Sequence, residues 1–469
     1  MTSHPRTRST DLDPNLDAVL GASARDARVV AGVGRDRRAV WLREAALRLD
    51  AAAEELVALA AEETRLGEGR LVGELKRTTF QARLFAEGVT QGDLSRARVD
   101  HADPGWGMGP RPDIRRGFVP IGPVLVFAAS NFPFAFSVFG GDTVSALAAG
   151  CPVVVKAHPG HARLSRRTAE IVADALRAEG APEGTFGLIE GVAAGTAAVT
   201  DPRIQAVAFT GSTSGGRALF DLAMSRPDPV PFYGEFGSTN PTVVTPAGWK
   251  NRADDIIAGF ANSVSLGAGQ FCTKPGIVFV PDAAAFLTLM PSLPVQPMLN
   301  DRVVEQYRDS TADMAARVGV APEREDNPDG APRLFRVHVE DVRADPGLLS
   351  LEMFGPAALI VEYSDLADVA ALLAGMPGQL TATVQGGEQI EPDEAELVGS
   401  LAFRVGRVLY NDWPTGVTVT SAQQHGGPYP ATSAPLTTSV GIAAAERFLR
   451  PVAFQNVPAA ALPADLQDT

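Results

Sequence analysis

Between about Asp36 and Val89 the apolar positions Leu42, Ala45/Ala46, Leu49, Ala52/Ala53 and Leu56 recur at three-to-four spacing, with Arg and Glu between them. That period predicts amphipathic helices. Gly67 and Gly69 punctuate the run, and a second helical stretch carries Leu75, Phe80, Leu84 and Phe85. These read as packing helices without a site. From His101 to Gly117 the chain is rich in Gly, Pro and charge, as a loop or hairpin would be.

The pattern then changes. Val124-Leu125-Val126-Phe127-Ala128-Ala129 is a near-continuous apolar run, expected of a strand covered on both faces. A small-residue helix (Gly140 to Ala149) leads to a second such strand, Val153-Val154-Val155-Lys156. A helix from Arg163 to Glu179, a strand near Thr185–Ile189, a helix near Ala193–Val199 and a strand at Ala206–Thr210 follow, before a helix starting near Ser214. Strands alternating with helices predict a doubly wound parallel sheet. The alternation restarts with a helix at Ala253–Leu266 and a strand at Ile277–Val280. Residues Asn411 to Thr437 read as loop, and Ser439 to Val457 as a short helix followed by extended Arg450–Phe454.

At 469 residues the chain exceeds the roughly 250–300 at which a single core stops growing, so two or three domains are expected. A net charge of −14 argues against nucleic acid or an anionic membrane as partner. Two cysteines cannot build a disulfide framework, which fits a reducing compartment. No apolar run reaches membrane-spanning length, and Met1 to Asp13 lacks the apolar stretch of a secretory signal. A cytoplasmic protein with a short frayed start is expected.

Candidate chemistry gathers at a few positions. Cys272, in Gly267-Ala268-Gly269-Gln270-Phe271-Cys272-Thr273, sits at a glycine-rich bend and is either a nucleophile or a buried packing cysteine. Phe209-Thr210-Gly211-Ser212-Thr213-Ser214-Gly215-Gly216 leads a strand through glycines into a helix N-terminus. That suits a pyrophosphate, or is a plain strand-to-helix turn. It is not Gly-x-Gly-x-x-Gly. Lys156 ends a buried strand, where open α/β sheets place ligands, or is a solvated charge. In Glu352-Met353-Phe354-Gly355-Pro356 a carboxylate can hold ribose hydroxyls while an aromatic face packs on a flat ring. Glu235, flanked by glycine and aromatics, is expected to have a raised pKa suited to a general base, or to be a paired carboxylate. Asn131, at the end of the first buried strand, donates to an oxyanion or caps a turn.

Taken in order along nearly the whole chain, Asn131-Phe132-Pro133, Lys156, Phe209–Thr213, Glu235-Phe236-Gly237, Gly269–Thr273 and Glu352–Pro356 resemble the aldehyde dehydrogenase superfamily. The resemblance implies an α/β fold with two doubly wound parallel-sheet domains plus a small β oligomerisation arm. It divides the chain into a dinucleotide-binding domain (1–111 and 124–237), oligomerisation strands (112–123 and 440–469) and a catalytic thiol domain (238–439). It implies Cys272 as nucleophile, Glu235 as base and Asn131 with the Cys272 N–H as oxyanion hole. Lys156, Gly211, Ser212, Gly216, Glu352 and Phe354 are implied as cofactor residues. Phe134, Phe136, Trp413 and Gln270 are candidates to line the substrate pocket, and no metal site is expected.

Gln424–Ser433 and Glu446–Val452 are similar to the branch of the family that contains α-ketoglutaric semialdehyde (2,5-dioxopentanoate) dehydrogenases and an NADP-dependent fatty aldehyde dehydrogenase. The expected substrate is 2,5-dioxopentanoate, with a medium-chain aliphatic aldehyde as the rival. Two further readings are a coenzyme A-dependent thioester former and a catalytically silent binding protein. The chain is shorter than expected for that branch around Pro291–Pro297. Many NAD-specific relatives have a glutamate three residues after the lysine, where this chain has Pro159, and losing that carboxylate favours NADP over NAD. Against this, Ala193 and Ala194 supply no cation for a 2′-phosphate. A homodimer or homotetramer is implied, bridged by strands near Arg115–Val119 and Arg450–Phe454.

Overall fold

The computed structural model describes residues 13–319 and 329–467. The polar start expected to fray therefore lies, except for Asp13, outside the described residues. Strands β1 (Arg98–Asp100) and β2 (Ile114–Pro120) form an antiparallel pair. β3 (Val124–Phe127), β4 (Val153–Lys156), β5 (Phe186–Ile189), β6 (Ala206–Thr210) and β7 (Phe232–Glu235) make a five-stranded sheet, ordered β5-β4-β3-β6-β7 and parallel throughout.

β8 (Pro241–Val244), β9 (Ile277–Val280), β10 (Arg333–His338), β11 (Ala357–Glu362), β12 (Gln379–Gln385) and β13 (Val405–Tyr410) make a six-stranded parallel sheet in the order β10-β11-β9-β8-β12-β13. β14 (Leu449–Gln455) returns to pair antiparallel with β2.

The expectation of two wound parallel sheets with a small antiparallel arm matches this architecture. Its cause is visible in the strands: every residue of β3, β4, β8 and β9 is buried. Each buried valine or leucine there contributes on the order of 1.5–3 kcal/mol, and helices cover both faces of such sheets. The expected helical region resolves into Arg35–Ala51, Ala53–Thr64 and Glu68–Gln91.

The helix expected at Ala253–Leu266 begins earlier, at Pro246. Thr245 caps it by accepting from the Gly248 N–H at 3.1 Å, and Pro246 takes the first turn, where no amide donor is needed. Residues 291–299 form no helix or strand. Among the described residues no helix is long and apolar enough to cross a membrane.

In the first sheet the chain runs outward from β3 to β5 and then crosses to β6 on the other side of β3. The sheet thus splits between β3 and β6, where open α/β sheets form a ligand crevice beyond the strand ends. Asn131 follows β3, Lys156 ends β4, Ser212 follows β6 and Glu235 ends β7. From the second sheet, Cys272 and Glu352 lie just ahead of β9 and β11.

Candidate active site

The two sheets meet at the loop that carries Cys272. Asn131 Nδ2 donates to the Gln270 carbonyl at 3.1 Å, and the Ser238 N–H donates to Glu352 Oε1 at 3.3 Å. Asn240, with φ +48°, donates from one Nδ2 to the carbonyls of Cys272 (2.7 Å) and Lys274 (2.9 Å). The backbone on both sides of the thiol is therefore tied to the linker between β7 and β8. That linker is held in turn by Gln379 Oε1, which accepts from Ser238 Oγ at 2.8 Å and the Thr239 N–H at 2.7 Å.

Gly269 has φ +65°, and a Cβ there would lie 2.3 Å from the Gly355 carbonyl group. Only glycine combines that conformation with so close an approach, which presses the thiol loop onto the Glu352–Pro356 segment.

Cys272 is half-buried as a residue, but its sulfur is enclosed. Burial pushes the thiol up to about 12, and the nearby Glu235 and Glu352 carboxyls add to the rise. Glu235 is buried, with Oε2 lacking any protein partner. Burial lifts its carboxyl to about 8; Arg447 opposes this, Asp142 adds to it, and a hydrogen bond from Thr432 opposes it. The raised value expected from its apolar neighbours is thus found, and desolvation is the main cause.

Asn131 keeps its second N–H free beside the Cys272 loop, because one amide nitrogen carries two donors. The turn that presents it is organised by two residues four apart on helix Glu68–Gln91. Arg70 Nη2 donates to the Asn131 carbonyl at 2.6 Å, while Glu74 Oε1 accepts from the N–H groups of Phe134 (2.8 Å) and Ala135 (3.0 Å). Arg70 also lies over the rings of Phe132 and Phe271, 5.3 and 4.9 Å from their centroids. This helix, whose sequence reads as packing only, is a wall of the site.

A second residue that sequence reasoning missed is His425, whose Nε2 lies 3.8 Å from Cys272 Sγ. Its ring is buried, and burial, then Arg407 and Arg77, lower it to about 3, so it is neutral at physiological pH. A lone histidine in a glycine-rich loop distant in sequence gives no local sign of this; Gln424-His425-Gly426-Gly427 reads only as a branch signature.

The residues expected to contact substrate divide. Phe136 lies 6.5 Å from the His425 ring, centroid to centroid. Phe134 is buried in the main core. Trp413 packs over Gly259 and against Phe260 at 5.8 Å, half-buried against the core of the second sheet. Gln270 has both ends of its side-chain amide engaged by protein: Oε1 accepts from the Leu299 N–H at 2.9 Å, and Nε2 donates to the Gly267 carbonyl at 3.0 Å. Its geometry is that of a brace under the thiol loop.

A nicotinamide dinucleotide fits the groups at the sheet crevice. Lys156 is buried, its pKa is lowered by burial alone, and among the described residues no carboxylate pairs with it. An ammonium so placed is matched to ribose hydroxyls or a phosphate. Ser212 Oγ caps the following helix by accepting from the Gly215 N–H at 3.3 Å, and Gly211 and Ser212 are exposed. A Cβ at Gly216 would lie 2.1 Å from the Phe236 ring, so glycine lets this helix close on the strand that carries Glu235.

Glu352 has a raised carboxyl pKa, chiefly from burial. Beneath it Lys274 donates to the Ala357 carbonyl, and burial lowers Lys274 to about 8. Phe354 is half-buried against the main core.

The profile of the aldehyde dehydrogenase family matches residues 9–289. Over 444 residues the chain is 44% identical to α-ketoglutaric semialdehyde dehydrogenase 2 of Azospirillum brasilense, covering 90% of this chain and 84% of that one. Over 448 residues it is 41% identical to the α-ketoglutaric semialdehyde dehydrogenase of Acinetobacter baylyi, covering 92% and 85%. Among solved structures, a Thermus 1-pyrroline-5-carboxylate dehydrogenase with bound NAD superposes with a TM-score of 0.76 at 19% identity, over 94% of this chain and 85% of its own. The bifunctional proline utilization A protein reaches 0.79 at 21% identity, over 97% of this chain but only 45% of its own length.

Proposed function

The chain belongs to the aldehyde dehydrogenase family, and we propose that it oxidises 2,5-dioxopentanoate to 2-oxoglutarate with a nicotinamide dinucleotide as hydride acceptor. One observation carries the reading: a thiol, a buried carboxyl raised to about 8 and a free amide N–H come from three different elements to one enclosed site. The substrate is supported by the two bacterial relatives that bear this activity in their names.

In this mechanism the resting thiol must lose a proton before it attacks. The Glu235 carboxyl, in its ionised form, is the neighbouring group able to take it, since the His425 imidazole at 3.8 Å is lowered to about 3 and is too weak a base. Attack of Cys272 Sγ on the aldehyde carbon makes a thiohemiacetal whose oxyanion is held by Asn131 Nδ2 and the Cys272 N–H. When bound, the nicotinamide supplies the acceptor for the hydride that leaves this carbon, so that a thioester remains on Cys272. Glu235, ionised, then takes a proton from the water that attacks the thioester. Collapse of the second tetrahedral adduct expels the sulfur and releases the acid.

Lys156, Glu352, Phe354 and the Gly211–Ser212–Gly216 turn hold the cofactor in this reading, with NADP preferred because residue 159 brings no carboxylate towards a 2′-phosphate. Residues 1–111 and 124–237 form the dinucleotide domain and 238–439 the thiol domain. The strands within 112–123 and 440–469 join subunits of a homodimer or homotetramer in the cytoplasm.

Initial rates with NAD and NADP on 2,5-dioxopentanoate and hexanal test the proposal. A higher kcat/KM on the oxo acid is expected, and a preference for hexanal would replace it with fatty aldehyde oxidation.

A further inference from the structure

Two arginines from opposite halves of the chain grip one short strap beside the thiol. Arg407, on β13, donates from Nη2 to the carbonyls of Pro414 (2.7 Å) and Gly416 (3.1 Å). Arg77, on helix Glu68–Gln91, donates from Nη2 to the Val417 carbonyl at 3.4 Å. The strap rests against the nucleophile loop, since the Gly416 N–H donates to Thr273 Oγ1 at 3.3 Å. Both guanidinium charges bear on Cys272 and on His425.

Neither arginine has its hydrogen-bonding capacity filled. Arg77 Nη1 and Arg407 Nε are buried without a protein acceptor, and neither side chain makes an ion pair among the described residues. Leaving a buried charged donor unmatched is unfavourable unless a ligand completes it. The neighbouring carboxyls do not do so. Glu74 directs Oε1 to two backbone N–H groups, and both it and Glu235 have raised pKa values. The two guanidinium groups thus concentrate positive charge beside the thiol in a chain of net charge −14. Phe136 is their apolar neighbour, with Arg77 5.4 Å above the ring and His425 6.5 Å away.

We propose that Arg77 and Arg407 form an anion subsite that receives the carboxylate at the far end of the substrate, selecting an oxo-acid aldehyde over an uncharged one. This rests on the reading of the site as an aldehyde-oxidising one. Arg77 keeps Nη1 and Arg407 keeps Nε for a carboxylate oxygen, donors fixed in direction by the planar fork, which an ammonium does not reproduce. The Phe136 ring packs on the methylenes between the two ends, and the aldehyde carbon reaches the sulfur.

The test compares 2,5-dioxopentanoate with pentanal, an uncharged aldehyde of the same carbon count, in the wild type, R77M and R407M. Losing one such contact lowers the ratio of kcat/KM for the oxo acid over pentanal about 10- to 100-fold, chiefly through KM for the oxo acid, whatever smaller loss both aldehydes share from the changed surroundings of Cys272. R77K and R407K, which keep the charge but not the fork, fall between. They also serve if R407M fails to fold because the strap has lost its anchor. Equal loss on both aldehydes overturns the subsite.

Protection of Cys272 from iodoacetamide by 2-oxoglutarate gives a readout independent of turnover, expected in the wild type and lost in R77M. If the wild type prefers pentanal and 2-oxoglutarate still protects through Arg77, the proposed substrate falls and the subsite stands. If the oxo acid is preferred and neither variant changes the ratio, the subsite falls and the substrate stands.

Discussion

Cys272 Sγ lies 3.8 Å from Nε2 of His425, a histidine whose buried ring is held neutral. The imidazole therefore brings no charge to lower the thiol pKa, and burial outweighs the opposing Arg407 charge and pushes the thiol up to about 12. Alkylation of the cofactor-free protein by iodoacetamide should be slow at pH 7 and rise about tenfold per pH unit to pH 9, following the thiolate fraction. Mass spectrometry would place the label on Cys272 alone, because Cys151 is fully buried in the core and out of reach of the reagent. A rate that levels off near pH 7 would mean that the resting thiol is already ionised.

For Glu235→Gln the expected outcome is a burst of NAD(P)H followed by a steady state about 10²- to 10⁴-fold slower than wild type. In the wild type, deacylation should rise with pH up to about 8 and then flatten, a limb that the amide removes. Stability carries the opposite sign. The folded pKa lies above the ordinary 4.5, so the protonated carboxyl favours the fold below 4.5 and that contribution is lost as pH passes about 8. The amide variant should accordingly lose less melting temperature between pH 6 and 9 than wild type; an equal loss in both would contradict the burial of this carboxyl.

Replacing Pro159 with glutamate tests the cofactor argument at one position. Pro159 is exposed, in a single turn where the His158 ring accepts from the Gly160 N–H at 3.0 Å. A carboxylate there should repel a 2′-phosphate and accept ribose hydroxyls. The ratio of kcat/KM for NADP over NAD should fall about tenfold, as expected from a shift of roughly 1.4 kcal/mol. An unchanged ratio would show that residue 159 does not face the ribose.

Arg447 pairs with Asp142 at 2.7 Å, both side chains nearly inaccessible to water. Arg447→Met leaves that carboxylate buried and unmatched, which costs about 3–5 kcal/mol and should appear as a lower denaturation midpoint. It also removes the positive charge that holds Glu235 down, so the surviving enzyme should need a higher pH for deacylation. Adding Asp142→Asn should restore part of the stability and, because the Asp142 charge raises Glu235, should also return part of the pH profile. Stability regained with the profile still fully displaced would show that the Asp142 charge does not reach Glu235.

The sheets were legible because runs such as Val153–Val155 are apolar at every position, a property of single strands that needs no knowledge of their neighbours. Cys272, Glu235 and Asn131 stood out through their glycine and aromatic flanks, and their meeting followed from topology. Arg70, Glu74 and Arg77 were hidden. On a helix their spacing reads as an ordinary solvated stripe, and only the Asn131–Ala135 turn packing on that face turns it inward. His425, Arg407 and Asn240 were hidden for a related reason, since each acts on a partner brought close by the fold alone. Trp413, an aromatic in a loop, gave no sign in the sequence of the room that Gly259 makes for it, where it packs half-buried against the core.

The linker between the sheets carries Glu235 at one end and Asn240, with its grip on the Cys272 carbonyl, at the other. Two attachments at its ends fix such a span in length. One inserted residue would separate the base from the nucleophile's tether, and no rearrangement elsewhere would restore both. In the irregular segment at 291–299, Gln296 and Leu299 also hold the thiol loop, so the fold can lose residues only ahead of them, while from Glu235 to Asn240 it can only exchange one side chain for another.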